Sequence, residues 1–243
     1  MNRTRKSWTL AVLAAALWLA SAQEAHAAAV WQVVSVQVEG DAQPWLDLIK
    51  KANAVRKRLA LPPVRVVQAT LAGDATGTYF IDIEYASLAA FAESVAKLEA
   101  DAEWPGLLKQ FQTYPKSKLL ENSLFTDRTP EGVEAASLKP GGYATGLAVR
   151  VDGDPSAYLA LLPKITAAFK RIGVPAPRVW QATLAGEGTG TILITTAYPS
   201  LAALEEAQKK TDGDAEFQSL RRQAEATGRK IVSNLLVRER TPQ

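Results

Sequence analysis

Two stretches of this chain, about 113 residues apart, repeat one another, and that repetition constrains the fold more than any other feature. Val64-Arg65-Val66-Val67-Gln68-Ala69-Thr70-Leu71-Ala72-Gly73 returns as Ala176-Pro177-Arg178-Val179-Trp180-Gln181-Ala182-Thr183-Leu184-Ala185-Gly186, with one residue of slack before the arginine. From there the copies stay in step: Thr76-Gly77-Thr78 against Thr189-Gly190-Thr191, Tyr85-Ala86-Ser87-Leu88 against Tyr198-Pro199-Ser200-Leu201, and Asp101-Ala102-Glu103-Trp104 against Asp214-Ala215-Glu216-Phe217. The first copy reads as residues 30–128 and the second as 144–240. Residues 129–143, which carry Pro130, Gly132, Pro140, Gly141 and Gly142, read as a linker.

Within each copy the hydrophobic period changes in a fixed order. Val34, Val36 and Val38 alternate with Ser35 and Gln37, and Leu147, Val149 and Val151 alternate with Ala148 and Arg150, which predicts a half-buried strand. A helix follows, because Trp45, Leu46, Ile49, Ala52, Val55 and Leu59 share one helical face, and so do Tyr158, Leu159, Leu162, Ile165, Phe169 and Ile172. Asp154-Pro155 reads as the cap and first residue of the second of these helices. In the first copy, strands are expected over 65–72 and 78–85, joined by the Gly73–Gly77 hairpin. Ser87 and Ser200 cap second helices, Asp101 and Asp214 open further short ones, and 118–126 and 230–238 close each copy as a strand. The loop Gly186-Glu187-Gly188-Thr189-Gly190 looks like a phosphate cradle, but it joins strand to strand and its counterpart lacks the middle glycine. It therefore reads as a turn.

The N-terminus is a targeting pattern. Arg3, Arg5 and Lys6 precede an apolar run from Trp8 to Ala20, and Ala25-His26-Ala27 supplies an A-x-A cleavage site, so 1–27 is expected to be a signal peptide and the mature chain periplasmic or secreted. The run is about 13 residues, short of the roughly 20 that span a bilayer, so no membrane span is expected after cleavage. Cleavage would take Lys plus Arg from 28 to 25 and Asp plus Glu from 25 to 24, lowering the net charge from +3 to +1. A near-neutral chain offers no electrostatic case for binding nucleic acid. The single His and the single Met also lie in 1–27, and there is no Cys anywhere. The usual zinc, copper and haem ligand sets, the Ser-His-Asp and Cys-His nucleophile systems and a histidine base are thereby excluded, and no metal or cofactor is expected.

The order β-α-β-β-α-(α)-β is the split βαβ, or ferredoxin-like, plan. Its sheet carries helices on one face only, and a tandem copy can cover the other. The fold class expected is α+β: two tandem ferredoxin-like βαββαβ units packed sheet to sheet as an intramolecular pseudo-dimeric α/β barrel. In element order and repeat layout the chain resembles the dimeric α/β-barrel superfamily, including its antibiotic-biosynthesis-monooxygenase and NIPSNAP-like domains. Haem-binding members of that superfamily use a histidine ligand, which this chain lacks after residue 26.

Alternation predicts the side chains that face the space between the sheets. If Tyr79, Ile81 and Ile83 meet the helices, then Phe80, Asp82 and Glu84 face inward, with Leu193, Thr195 and Ala197 as their counterparts. Placing Gln68 and Thr70, and likewise Gln181 and Thr183, on the inward face of the preceding strand gives a candidate ligand-binding set of Gln68, Thr70, Asp82, Glu84, Arg150, Gln181, Thr183 and Asn234. The Gln and Thr kept in both copies equally suit a scaffold role, paired with each other or with backbone. Asp82 and Glu84, kept in only one copy, suit either acid–base work or protection of an exposed edge. Trp45, Trp104, Trp180 and Tyr158 read as packing.

The function expected is binding of a small molecule between the repeats without metal or haem. By resemblance, the alternative is a cofactor-independent monooxygenase with Asp82 or Glu84 as base and Gln181 or Asn234 as orienting group. A structural or interaction module of the envelope is a third possibility.

Overall fold

The computed structural model describes residues 28–243, so the expected signal peptide lies outside the described residues. Its elements run β1 (Val30–Val38), α1 (Gln43–Arg58), β2 (Arg65–Leu71), β3 (Tyr79–Tyr85), α2 (Leu88–Glu99), α3 (Trp104–Gln112) and β4 (Ser117–Asp127). The same order follows with β5 (Tyr143–Val151), α4 (Ser156–Leu159), α5 (Leu162–Ile172), β6 (Arg178–Leu184), β7 (Ile192–Tyr198), α6 (Leu201–Gly213), α7 (Ala215–Ala226) and β8 (Arg229–Glu239). Among the described residues no helix is long and apolar enough to cross a membrane.

The local chemistry explains most boundaries. Ser87 Oγ and Ser200 Oγ accept from the backbone N–H groups of Ala90 and Ala203, capping α2 and α6. Asp214 caps α7 by accepting from the Phe217 N–H, whereas Asp101 accepts from Glu103 and Trp104 just ahead of α3. One helix differs from expectation. The face running from Tyr158 to Ile172 is broken into α4 and α5, because Pro163 has no N–H to continue the ladder and suits only a helix start. The two strand-to-strand turns are short 3₁₀ segments at 73–75 and 186–188. They return to the strand through Gly77 and Gly190, whose φ values of 91° and 87° are strained for any side chain.

All eight strands form one closed antiparallel barrel in the order β1-β3-β2-β8-β5-β7-β6-β4. Two seams close it: β2 pairs with β8 and β4 with β6. The sheets therefore meet edge to edge around a common interior, where simple face-to-face stacking would have left their edges free. The helices lie outside. Beneath α1, Trp45 and Ile49 pack on Val36, Val66, Tyr79 and Ile83, while Tyr158 and Leu162 pack on Val149, Val179 and Ile192. A separate interior layer holds Trp31, Val33 and Trp180 with Phe80, Phe125 and Leu193. Strands in this barrel are thus buried on both faces.

Candidate functional site

The interior layer is incomplete and leaves a cavity of about 680 Å³ along the barrel axis. Its size follows from unequal walls. β1, β3 and β6 contribute Trp31, Phe80 and Trp180, whereas β5 and β7 contribute Ala144, Gly146, Ala148 and Ala197. A Cβ at Gly146 would come within 2.9 Å of Leu235 Cδ1, so a larger residue there would displace that methyl group. Trp31 and Trp180 stack with ring centroids 5.0 Å apart, and Phe125 lies 5.5 Å from Trp31. The segment crossing from β4 to β5 lines part of the cavity through Ala135–Leu138.

Charge gathers on the wall formed by β2, β3, β4 and β6. Arg65 reaches Asp82 at 3.4 Å and Glu84 at 3.3 Å, while Arg178 reaches Glu84 at 2.5 Å and Asp127 at 3.1 Å. The Arg178 guanidinium also lies 4.2 Å from the centre of the Trp180 ring. Strand pairing dictates this grouping, because Arg65 stands opposite Asp82 on β3 and Asp127 opposite Trp180 on β6. On β7 the positions matching Asp82 and Glu84 are Thr195, paired with Arg178, and Ala197, so the second copy adds no carboxylate there.

Asp82 is the unusual group. Its side chain is 5% exposed, and its Oδ1 meets no hydrogen-bond donor. Burial pushes its carboxyl up to about 7; Arg65 opposes that rise and Glu84 adds to it. A carboxyl titrating there can hold or accept a proton at neutral pH inside a mostly apolar chamber. Glu84 is less suited to proton transfer because two guanidinium groups already hold it.

Of the eight residues expected at the site, Asp82 and Glu84 line the cavity and the other six do not. Thr70 Oγ1 donates to the Leu236 carbonyl and Thr183 Oγ1 to the Leu124 carbonyl, both at 3.0 Å across the barrel seams. Gln181 Oε1 accepts from Arg128 Nε, and Arg150 donates to the Glu187 carbonyl at the barrel exterior. Gln68 lies on the outer face with Val66, and Asn234 stands opposite Leu147, which packs in the outer core. The physical reason is burial on both faces. Val66 sits under the helices and Val67 inside the barrel, so polarity does not mark the inward face of β2; register with β3 does. Sequence reasoning passed over Trp31, Arg65, Asp127, Arg178 and Trp180 as site residues. The arginines carried a signal, since Arg65 and Arg178 recur at the same point of both copies.

Residues 28–243 contain no His, Cys or Met, so the cavity wall offers a haem iron no imidazole, thiolate or thioether. Among the described residues no group of three or more acidic side chains is placed to hold a metal ion.

No family model and no curated protein sequence matches the chain. Solved structures do resemble it. A candidate monooxygenase from Fusobacterium nucleatum subsp. nucleatum is 12% identical, with 88% of this chain and 93% of that chain covered at a TM-score of 0.58. An anthrone oxidase-like protein is 13% identical, with 87% and 91% covered at 0.54. A mutant chlorite dismutase from Candidatus Nitrospira defluvii is 11% identical, with 87% and 91% covered at 0.52. At such identities the likeness concerns architecture alone, and together with the closed eight-stranded sheet it establishes that this chain has the α+β, dimeric α/β-barrel fold.

Proposed function

We propose that this chain is an exported, tandem ferredoxin-like pseudo-dimer that binds a small, partly aromatic molecule inside its barrel. The cavity carries the reading. A chamber of about 680 Å³ walled by Trp31, Phe80, Phe125 and Trp180, with a few charged groups on one side, has the size and mixture of surfaces of a small-molecule site. A purely structural module would gain stability by filling that space, since an unfilled interior forfeits packing. The test is a thermal-shift screen with one- and two-ring aromatic compounds, run beside the double variant Ala144→Trp/Ala148→Trp, whose two indoles partly fill the chamber. Ligands that raise the melting temperature of the native chain and not of the filled variant support the reading. A chain that responds to none of them, or a filled variant that responds equally, overturns it.

One observation favours a second reading, cofactor-independent oxidation of an electron-rich aromatic compound. Asp82, titrating near 7 within the chamber, is placed to take a hydroxyl proton from such a substrate. Neighbours described as a candidate monooxygenase and an anthrone oxidase-like protein share the fold. Gln181 and Asn234 drop out as orienting groups, because both lie outside the chamber. Oxygen consumption with quinol-type substrates that falls about a hundredfold or more in Asp82→Asn supports this activity. Consumption unchanged by that substitution removes Asp82 as the base.

A further inference from the structure

The cavity's charges are unevenly matched. Taken strand by strand, the ionisable side chains that line it are Arg65 from β2, Asp82 and Glu84 from β3, Glu121 from β4 and Arg178 from β6. Neither β1, β5, β7 and β8 nor the crossing segment adds an ionisable lining residue. Two cations therefore face three carboxylates, and Asp127, bonded to Arg178, adds a fourth. The guanidinium groups are already engaged, Arg65 by Asp82 and Glu84 and Arg178 by Glu84 and Asp127. An incoming anion would have to compete with these carboxylates for guanidinium groups that are already paired.

The vacancy lies on the acidic side. Asp82 Oδ2 faces Arg65 at 3.4 Å, a long contact, and Oδ1 meets no donor, although the side chain is 95% buried by the complement of its 5% exposure. Glu121 has no cationic partner and accepts only from Ser123 Oγ, yet it is solvent-exposed and gains little from an ion pair. Beside Asp82 the wall is aromatic. Phe80 is the same-face neighbour of Asp82 on β3, and Trp31, with Trp180 and Phe125 packed against it, stands opposite Glu84, two pairs along the β1–β3 ladder from the Val33–Asp82 pair. Aromatic side chains and a carboxylate with one unpartnered oxygen together suit an organic cation.

Deepening the small-molecule reading on which it rests, we propose that the ligand is an aromatic or alkyl-aromatic amine whose ammonium group donates to the Asp82 carboxylate while its hydrocarbon lies against Phe80 and Trp31. Binding converts Asp82 to its carboxylate and releases the proton held there in the empty cavity, so affinity rises with pH. Only the ionised fraction of Asp82 is competent, and for a group titrating near 7 that fraction grows about tenfold between pH 6 and pH 8.

The experiment is calorimetric titration of the full chain with three probes of one size: 2-naphthylmethylammonium, 2-naphthylmethanol and 2-naphthoate. The ammonium probe should bind about tenfold or more tighter than the carboxylate. Its affinity should rise about tenfold from pH 6 to pH 8 while that of the alcohol stays constant. Asp82→Asn should erase both the preference and the pH dependence, and Glu121→Gln should leave them intact. Should Asp82→Asn not fold, the pH comparison of the two probes on the native chain decides. Carboxylate bound as tightly as ammonium, ammonium affinity flat with pH, or a preference abolished by Glu121→Gln overturns the amine assignment and leaves the small-molecule reading standing. Failure of all three probes to bind overturns both.

Discussion

Asp82 is where residue-scale chemistry departs most from the ordinary. In the unfolded chain its carboxyl titrates near 3.8, and folding moves it to about 7, chiefly through burial. The folded state therefore holds the proton more tightly. The resulting contribution to stability is fully present below pH 3.8 and is lost as pH rises from 3.8 to about 7, amounting to about 4 kcal/mol at most. Asp82→Asn cannot ionise, and Glu84 still pairs with Arg65 in its place. The variant should melt several degrees above the native chain at pH 8, with the difference shrinking as pH falls to 5, in a scan of melting temperature against pH. A constant offset across that range would mean that the carboxyl is not the titrating group. Inward placement of Asp82 and Glu84 was legible in the sequence because β3 alternates cleanly between them and Tyr79, Ile81 and Ile83. Recruitment of Arg178 was not, since its partner Glu84 lies 94 residues away on the other side of the barrel seam.

At the scale of elements, the recurrent threonines belong to the seams. Thr70 and Thr183 donate across β2–β8 and β4–β6 where both ladders shift register, between Ala69 and Leu71 in one and between Leu124 and Phe125 in the other. A hydroxyl there supplies a donor where the bulge interrupts regular pairing. Thr70→Val and Thr183→Val should each cost about 1 kcal/mol, read from the urea midpoint. Because the seams share no partner, the double variant should lose close to the sum. Ligand affinity should not change, which separates this role from the cavity role that alternation alone had suggested. Helix positions were easier to read than strand faces. Ser87, Ser200 and Asp214 act through bonds spanning three residues, which local sequence encodes, whereas the inward face of a doubly buried strand depends on its neighbours.

For the whole molecule, closure of the barrel makes the halves interdependent. Residues 28–128 contain β1 to β4, but β2 and β4 find their outer partners only in β8 and β6. The intact chain should therefore unfold in a single transition, with coincident changes in near-ultraviolet and far-ultraviolet circular dichroism. Residues 28–128 expressed alone should not persist as a monomer. Sedimentation should find a dimer, in which a second β2 replaces β6 and a second β4 replaces β8, or aggregate. A stable monomer of that segment, or two separate transitions in the full chain, would show that the seams contribute little.

The sequence by itself determined the kinds of element, their order and their recurrence, because periodicity, caps and turn residues act over a few positions and were written twice. It also determined what chemistry is missing, since no folding can supply a histidine or a thiol to residues 28–243. Only the tertiary structure decided which face of β2 and β6 looks inward, that the edges join into one barrel, and that Arg65, Asp82, Glu84, Asp127 and Arg178 share a wall. Those outcomes are set by pairing between strands far apart in the chain. When both faces of a strand are buried, no local pattern of polar and apolar residues distinguishes the one from the other.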